Sequence, residues 1–253
     1  RIKRYEGKMV HTFDHTLAVT EPDSQALYEA EEFYLSGKQP VKARITTIPI
    51  TVDTTVQTPI ERVAGSQNIV TLGTLHYPPN ADGIRWFLNE VYPLVLQANP
   101  HATLTIIGKN PPQDFLEAAE RHSGRVKVTG YVPDLVPHFK KAALMVVPVR
   151  AGGGMRVRIL EAFSWGMPVV TTTIGVEGIS AVAGQDLLVE DTPEGFAAAV
   201  VRLLRDPQLQ SNLSLQCRKL AEEKYDWMRA LSPLGKIYQE VAQNSGEMDL
   251  QPA

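Results

Sequence analysis

From Asn68 onward, short apolar runs without alternation take turns with longer stretches in which apolar residues recur every three or four positions. Unbroken short runs predict strands buried on both faces, and the longer period predicts helices that cover them. Strands are expected at 69–72, 102–107, 126–129, 144–149, 168–171 and 186–189. The first is followed by a helix that Asn80 would cap, with Ile84, Phe87, Leu88, Val91, Leu94 and Val95 on one stripe. Further helices are expected at 113–122, from Pro133, and at about 155–165. Two more should follow Thr192 and Asp206, each a capping residue set before a proline. Six strands in this rhythm predict an α/β fold with a doubly wound, Rossmann-like parallel sheet.

Ahead of residue 50 the pattern is thinner. It predicts a weak helix over 1–10, a strand over 15–20, a helix capped by Thr20 with Pro22 in its first turn, and an extended piece over 42–50. So few elements in about 50 residues make too small a core to stand alone. They read as the remnant of a neighbouring α/β domain, or alternatively as extra edge elements of the main one. The expected division is therefore 1–48, 49–225, and a C-terminal helix from about Asp226 with a loose tail from Asn244, spanning 226–253.

Composition narrows the function classes. At 253 residues, with 43% hydrophobic and 21% charged positions, the chain has the balance of an ordinary globular protein. A net charge of −3 lacks the basic field of a general nucleic-acid binder. The longest apolar stretch, 142–149, is far shorter than the ~18 residues of a membrane span. Cys217 stands alone, so it forms no internal disulfide and reads as a small buried hydrophobe, which points to the cytoplasm. Trp86, Trp165 and Trp227 are expected to pack structurally. The first residue is Arg1 rather than Met, which suggests a chain that starts inside a longer protein.

In an open parallel sheet, ligands bind beyond the carboxyl ends of the strands. Four such ends carry glycine: Gly73-Thr74, Gly108-Lys109, Gly130-Tyr131-Val132 and Ala151-Gly152-Gly153-Gly154. The last opens onto a helix through Met155, Arg156 and Arg158. Bare N–H groups and about half an elementary charge of helix dipole favour an anion there, phosphate above all. Cations in a first helical turn oppose the dipole, so local helix stability does not explain Arg156 and Arg158, whereas an external anion would. The competing reading is a surface pair between Arg158 and Glu161, which share a face. Neither a dinucleotide fingerprint nor a Walker loop is present, and no D-x-D or metal-ligand spacing of histidines occurs. Glu177 lies on a later strand-end loop, where it either lines the cleft or accepts hydrogen bonds from its own turn.

Several strings, taken in order, resemble the donor domain of group 1 glycosyltransferases with the GT-B fold. They are G-T-L-H-Y-P-P-N-A-D-G-I-R-W-F-L-N-E-V-Y-P from Gly73, I-I-G-K-N-P-P from Ile106, V-T-G-Y-V-P-D-L from Val128, G-M-P-V-V-T-T from Gly166, G-V-E-G-I from Gly175 and Y-D-W from Tyr225, together with the glycine–arginine segment. The similarity covers about residues 45–243. Residues 49–53 resemble the interdomain junction of such enzymes, and the preceding H-T-L-A-V-T-E-P-D resembles the end of their acceptor-side domain.

The resemblance implies retaining transfer of a hexose-type sugar from a nucleotide-diphosphate sugar to a glycan or lipid-linked acceptor, with no metal and no other cofactor. Glu161 matches the second acid of the family's E-x7-E element, which holds the ribose hydroxyls; the first acid falls at Gly153 and is missing. Arg156 and Arg158 match a variant subgroup with G-G-G-x-R-x-R-x-L-E-A, and with Glu161 they are the expected catalytic residues. Gly73, Thr74, Gly108, Lys109, Tyr131, Val132, Gly152, Gly153, Gly154, Met155 and Glu177 are expected to contact the donor, Tyr131 and Val132 on the side of the base. The cytoplasm is the expected location, with at most peripheral contact to the inner membrane face. Two alternatives remain at this point: a nucleotide-sugar binding module without catalysis of its own, and a GT-B sugar-nucleotide epimerase.

Overall fold

The structure, a computed structural model, describes residues 1–37, 43–122 and 124–248, with side chains described as far as residue 243. It divides into two compact units, one built from Arg1–Thr51 and the chain from Tyr225 onward, the other from Val52–Lys224. The C-terminal segment thus joins the N-terminal one rather than standing by itself.

In the first unit, α1 (Ile2–Thr12) packs on α2 (Glu21–Leu35), and β1 (Thr16–Ala18) pairs in parallel with β2 (Ile45–Thr47). Thr20 Oγ1 accepts from the Asp23 amide at 3.1 Å, which satisfies one of the helix's orphan donors. The extended segment is thus shorter than the 42–50 expected, and Lys42 lies outside the described residues.

The second unit carries β3 (Asn68–Leu72), α3 (Pro78–Trp86), α4 (Tyr92–Ala98), β4 (Thr103–Ile107), α5 (Gln113–Arg121), β5 (Val126–Val128), α6 (Val136–Lys140) and β6 (Ala142–Val147). It continues through α7 (Val157–Ser164), β7 (Val169–Thr171), α8 (Thr173–Val176), β8 (Leu188–Val189), α9 (Pro193–Arg205) and α10 (Pro207–Leu220). Its six strands are all parallel, in the order β5-β4-β3-β6-β7-β8. Every residue of β6 is buried, as a central strand between two helical layers requires. One face packs Ile69, Leu104, Leu144 and Val146 with Phe87, Phe115 and Phe196 from the helices. Thr192 and Asp206 cap α9 and α10 through the amides of Gly195 and Leu209. Back in the first unit, α11 (Trp227–Ala230) and α12 (Pro233–Met248) complete the chain.

Four local expectations are corrected. The long helix after β3 widens into a π turn over Phe87–Val91, with the Tyr92 amide bonded to the Phe87 carbonyl. Pro93 has no N–H and its ring would clash with the carbonyl four residues earlier, and one wide turn absorbs both problems without breaking the helix. The helix expected from Pro133 begins at Val136, because Asp134 Oδ1 takes the Val136 amide at 2.9 Å in a turn of its own. The backbone stays helical to Met248 instead of loosening at Asn244. Trp227 is 43% exposed, since a four-residue helix has no face to bury it, whereas Trp86 packs edge-on to Phe196 and Trp165 to Phe139. Cys217 is fully buried, as expected.

Candidate functional site

The strand order reverses between β3 and β6, so the connections leave these neighbours toward opposite faces and open a crevice at their carboxyl ends. A cleft of about 270 Å³ lies there. Its walls are Leu72 to Thr74 after β3, Val149 and Ala151 to Gly153 after β6, Tyr77 to Asn80 at the start of α3 (Pro78 excepted), and Met155 to Arg158 leading into α7.

Arg158 is the second residue of α7. Its Nη1 donates to the Leu72 carbonyl at 3.1 Å and its Nη2 to Asn80 Oδ1 at 2.8 Å, both neutral acceptors. Its Nε is sealed from solvent and has no hydrogen-bond partner. No carboxylate pairs with it among the described residues, whereas the nearby Arg85 and Arg150 are held by Asp114 and Asp82. Burial first, and then repulsion from Arg156, push the Arg158 guanidinium down from 12.5 to about 10. A partly desolvated cation without a counter-charge is costly, and an external anion relieves that cost.

Gly73 makes this arrangement possible. A Cβ there would come within 2.5 Å of Arg158 Nη1 and 3.2 Å of Asn80 Nδ2. Behind it, Gly108 faces the Gly73 carbonyl, which a Cβ would meet at 2.0 Å, and donates its amide to the Gly130 carbonyl at 2.9 Å. Gly108 therefore shapes the floor of the strand ends without lining the cleft.

Arg156 behaves differently. Its backbone is extended at the residue before α7. Its guanidinium curls back onto the glycine loop, with Nη2 donating to the Gly152 carbonyl at 2.6 Å and Nη1 to the carbonyls of Gly153, at 2.6 Å, and Gly154. Gly152 and Gly154 have φ values of +94° and +88°, which suit glycine alone. In a trans peptide the carbonyl of one residue opposes the N–H of the next. Drawing three successive carbonyls onto Arg156 therefore turns the amides of Gly153, Gly154 and Met155 the other way. Among the described residues none of these amides meets a protein acceptor. Unpaired donors at the start of α7 continue the same surface.

The family model for group 1 glycosyl transferases matches residues 66–206, more than half of the chain. The chain belongs to this family. A 44.6 kDa protein of the cps region of Klebsiella pneumoniae, described as uncharacterised, is 26% identical over 175 residues, covering 67% of this chain and 45% of that protein. The glycogen synthase of Mycobacterium tuberculosis is 29% identical over 197 residues, covering 74% of this chain and 45% of the synthase. The chain thus spans about half the length of these relatives. HepE from Anabaena, solved in complex with UDP, superposes with a TM-score of 0.74 at 15% identity, over 92% of this chain and 66% of that one. At that identity the likeness shows the fold, a GT-B half built on a parallel α/β sheet.

In this member of the group 1 glycosyl transferase family, the expected site residues do not all share one surface. Gly73, Thr74, Gly152, Gly153, Met155, Arg156 and Arg158 line the cleft together, and Gly154 completes the loop around Arg156. Lys109 and Tyr131, on the neighbouring loops after β4 and β5, meet each other, with the ammonium 4.5 Å from the ring centre. Val132 follows them, half-buried. Glu161 is half-buried one turn beyond Arg158 and makes no ion pair with it among the described residues, so the surface-pair reading fails. Burial pushes its carboxyl above the usual range. Glu177 is exposed at the end of α8, away from the cleft walls, and its turn is instead closed by Thr172 Oγ1, which accepts from the Gly175 amide at 2.9 Å.

Asn80 is the correction that matters most here. Expected as a helix cap, it sits inside α3, whose start is set by Pro78 and Pro79. Its amide bonds Arg158 and the Thr74 carbonyl instead. Tyr77, exposed on the loop between β3 and α3, also went unread; an aromatic left in the open at a strand end was the available signal. Among the described residues no three His, Cys, Asp or Glu side chains group as metal ligands, and no helix is long and apolar enough to cross a membrane.

Proposed function

We propose that this chain is the donor-binding half of a retaining, metal-independent glycosyltransferase that moves a sugar from a nucleotide-diphosphate sugar to a glycan or lipid-linked acceptor. The observation that carries the proposal is Arg158, a cation held in place by neutral acceptors at the sheet's switch point and paired with no carboxylate among the described residues. Residues 1–48 belong, on this reading, to the acceptor-side domain. The Glu161 carboxylate takes the ribose hydroxyls, and the Lys109–Tyr131 pair faces the base.

The chemistry follows from where charge develops. Cleavage of the sugar–phosphate bond leaves an extra negative charge on the departing diphosphate. Arg158 and the outward-turned amides of Gly153, Gly154 and Met155 are already oriented for it, so they favour the transition state over the ground state. Preorganised cation and amides supply what a metal ion supplies in other transferases. Arg156 holds the loop in the shape that exposes those amides.

Calorimetric titration of the chain with UDP, GDP, ADP and inorganic pyrophosphate tests the reading. One nucleoside diphosphate is expected to bind best, to raise the melting point, and at 100 times its dissociation constant to stabilise the fold by about 2.7 kcal/mol. The chain alone should not turn over the corresponding nucleotide sugar, since the cleft needs its acceptor side. Absence of binding by all four compounds defeats the proposal.

A further inference from the structure

Asn80 stands on the third residue of α3 and caps nothing. Its side chain bridges two walls of the cleft: Oδ1 accepts from Arg158 Nη2 at 2.8 Å, and Nδ2 donates to the Thr74 carbonyl at 3.2 Å. The partners fix both roles, because a guanidinium only donates and a carbonyl only accepts. The residue between them must accept at one end and donate at the other. An amide does this; a carboxylate does not.

The choice has an electrostatic consequence. An aspartate of the same shape would reach the same guanidinium, neutralise it and compete with any incoming anion. Two arginines of the same unit are treated that way, Arg85 tied to Asp114 and Arg150 to Asp82 at 3.2 Å, whereas Arg156 turns onto the glycine-loop carbonyls. Unlike at Arg85 and Arg150, the restraint at Arg158 is neutral. Gly73 has no side chain beneath the pair, so the Asn80 amide and the Leu72 carbonyl set where the guanidinium lies.

We infer that Asn80 is a positioning residue for diphosphate binding, which orients Arg158 over the end of β3 without neutralising it. The inference rests on the diphosphate reading of the cleft and assigns a role which that reading does not contain. Asn80 acts through Arg158, and its amide chemistry, not its bulk, is what matters.

The test is titration of the chain with inorganic pyrophosphate and with UDP, using N80A, N80D, R158A and the double variant N80A/R158A. If the unaltered chain binds neither of these, nor GDP or ADP, the diphosphate reading falls and this inference with it. If it binds, N80A is expected to weaken binding by about tenfold, the usual scale of a hydrogen bond to a charged group. In the R158A background the same change should cost nothing further. N80D should bind pyrophosphate at least as much as tenfold more weakly than N80A, although Asp is nearer to Asn in shape. A packing role predicts the opposite order. An N80A penalty that persists at full size without Arg158, or an N80D variant milder than N80A, overturns the inference; should N80D fail to fold, the N80A cycle decides it.

Discussion

Two arginines on neighbouring helices of the second unit, Arg158 and Arg218, show how one residue type can serve opposite ends. Arg218, on α10 and only 14% exposed, meets four acceptors of the protein itself. It donates to the carbonyls of Thr54, Gln57 and Ser164 and pairs with Glu222 at 2.6 Å. In doing so it fastens the loop after Val52 and the end of α7 to α10. Arg158, at the other end of α7, has two neutral acceptors and, among the described residues, neither a partner for its sealed Nε nor a carboxylate. A guanidinium has five N–H donors to satisfy. Arg218 engages four of them within the scaffold, one on a carboxylate, whereas Arg158 engages two at the wall of the cleft, where its charge is available to a ligand.

Removing each arginine should therefore fail in its own way, and this is the largest effect expected. In the complete transferase that the proposed function implies, R158A should lower kcat/KM by about 10²–10³, the cost of losing one preorganised donor to a developing anion. The chain itself should bind pyrophosphate about tenfold to a hundredfold more weakly with no fall in Tm, because the change removes a charged donor but also deletes an uncompensated, partly buried charge. R218A should do the reverse. It strands Glu222 and three carbonyls, destabilising the fold by about 3 kcal/mol, and leaves pyrophosphate affinity intact in the folded fraction. Thermal melts and titrations of both variants decide the matter; a large stability loss for R158A with retained binding would reverse the assignment.

A pH series sharpens the comparison with a smaller effect. Burial holds Arg158 near 10, below its ordinary 12.5. Between those values the unfolded chain keeps a proton that the folded chain has released, so this group's contribution to stability rises with pH there. Anion affinity moves the other way. Above pH 10, pyrophosphate binding should weaken by up to about tenfold per pH unit, as expected for one linked proton. R158A should lack this dependence and R218A should retain it. An identical pH profile in R158A would assign the effect elsewhere.

How much of this was legible in the sequence follows from what local spacing can carry. The sheet was legible because its strands are buried on both faces: β3, β4 and β6 lie within two residues of the apolar runs that announce them. The walls of the cleft were legible for a related reason, since glycines at several strand ends point to one edge, and Gly73, Gly152 and Gly153 line it together. Contacts between distant segments were not legible. Asn80 and Arg158 are 78 positions apart, so a helix-start pattern was all that Asn80 displayed. Arg156 was visible as a charge near a helix start, but its turn onto three carbonyls depends on the φ values of Gly152 and Gly154. Pro93 was visible too. Whether a helix breaks or widens there depends on packing: Phe87 and Tyr92, both buried, bound the wide turn that precedes Pro93.

Glu161 gives the finest test, because it is the anionic counterpart of Arg158: a half-buried charge with no ion pair of its own among the described residues. Burial raises its folded pKa above the ordinary 4.5. Between the two values the folded chain holds a proton that the unfolded chain lacks, so stability falls as pH rises through that window. E161Q removes that loss, and its Tm at pH 7 should rise slightly, with the gain vanishing below the ordinary carboxyl pKa. Binding should separate the two charges. If Glu161 holds ribose hydroxyls, E161Q weakens the nucleoside diphosphate by about fivefold to tenfold, the loss of charge assistance in such hydrogen bonds. Pyrophosphate, which has no ribose, should bind E161Q at least as well as the unaltered chain, since one nearby negative charge is gone. Equal weakening of both ligands would place Glu161 at the diphosphate and remove the division of labour between the two ends of this helix face.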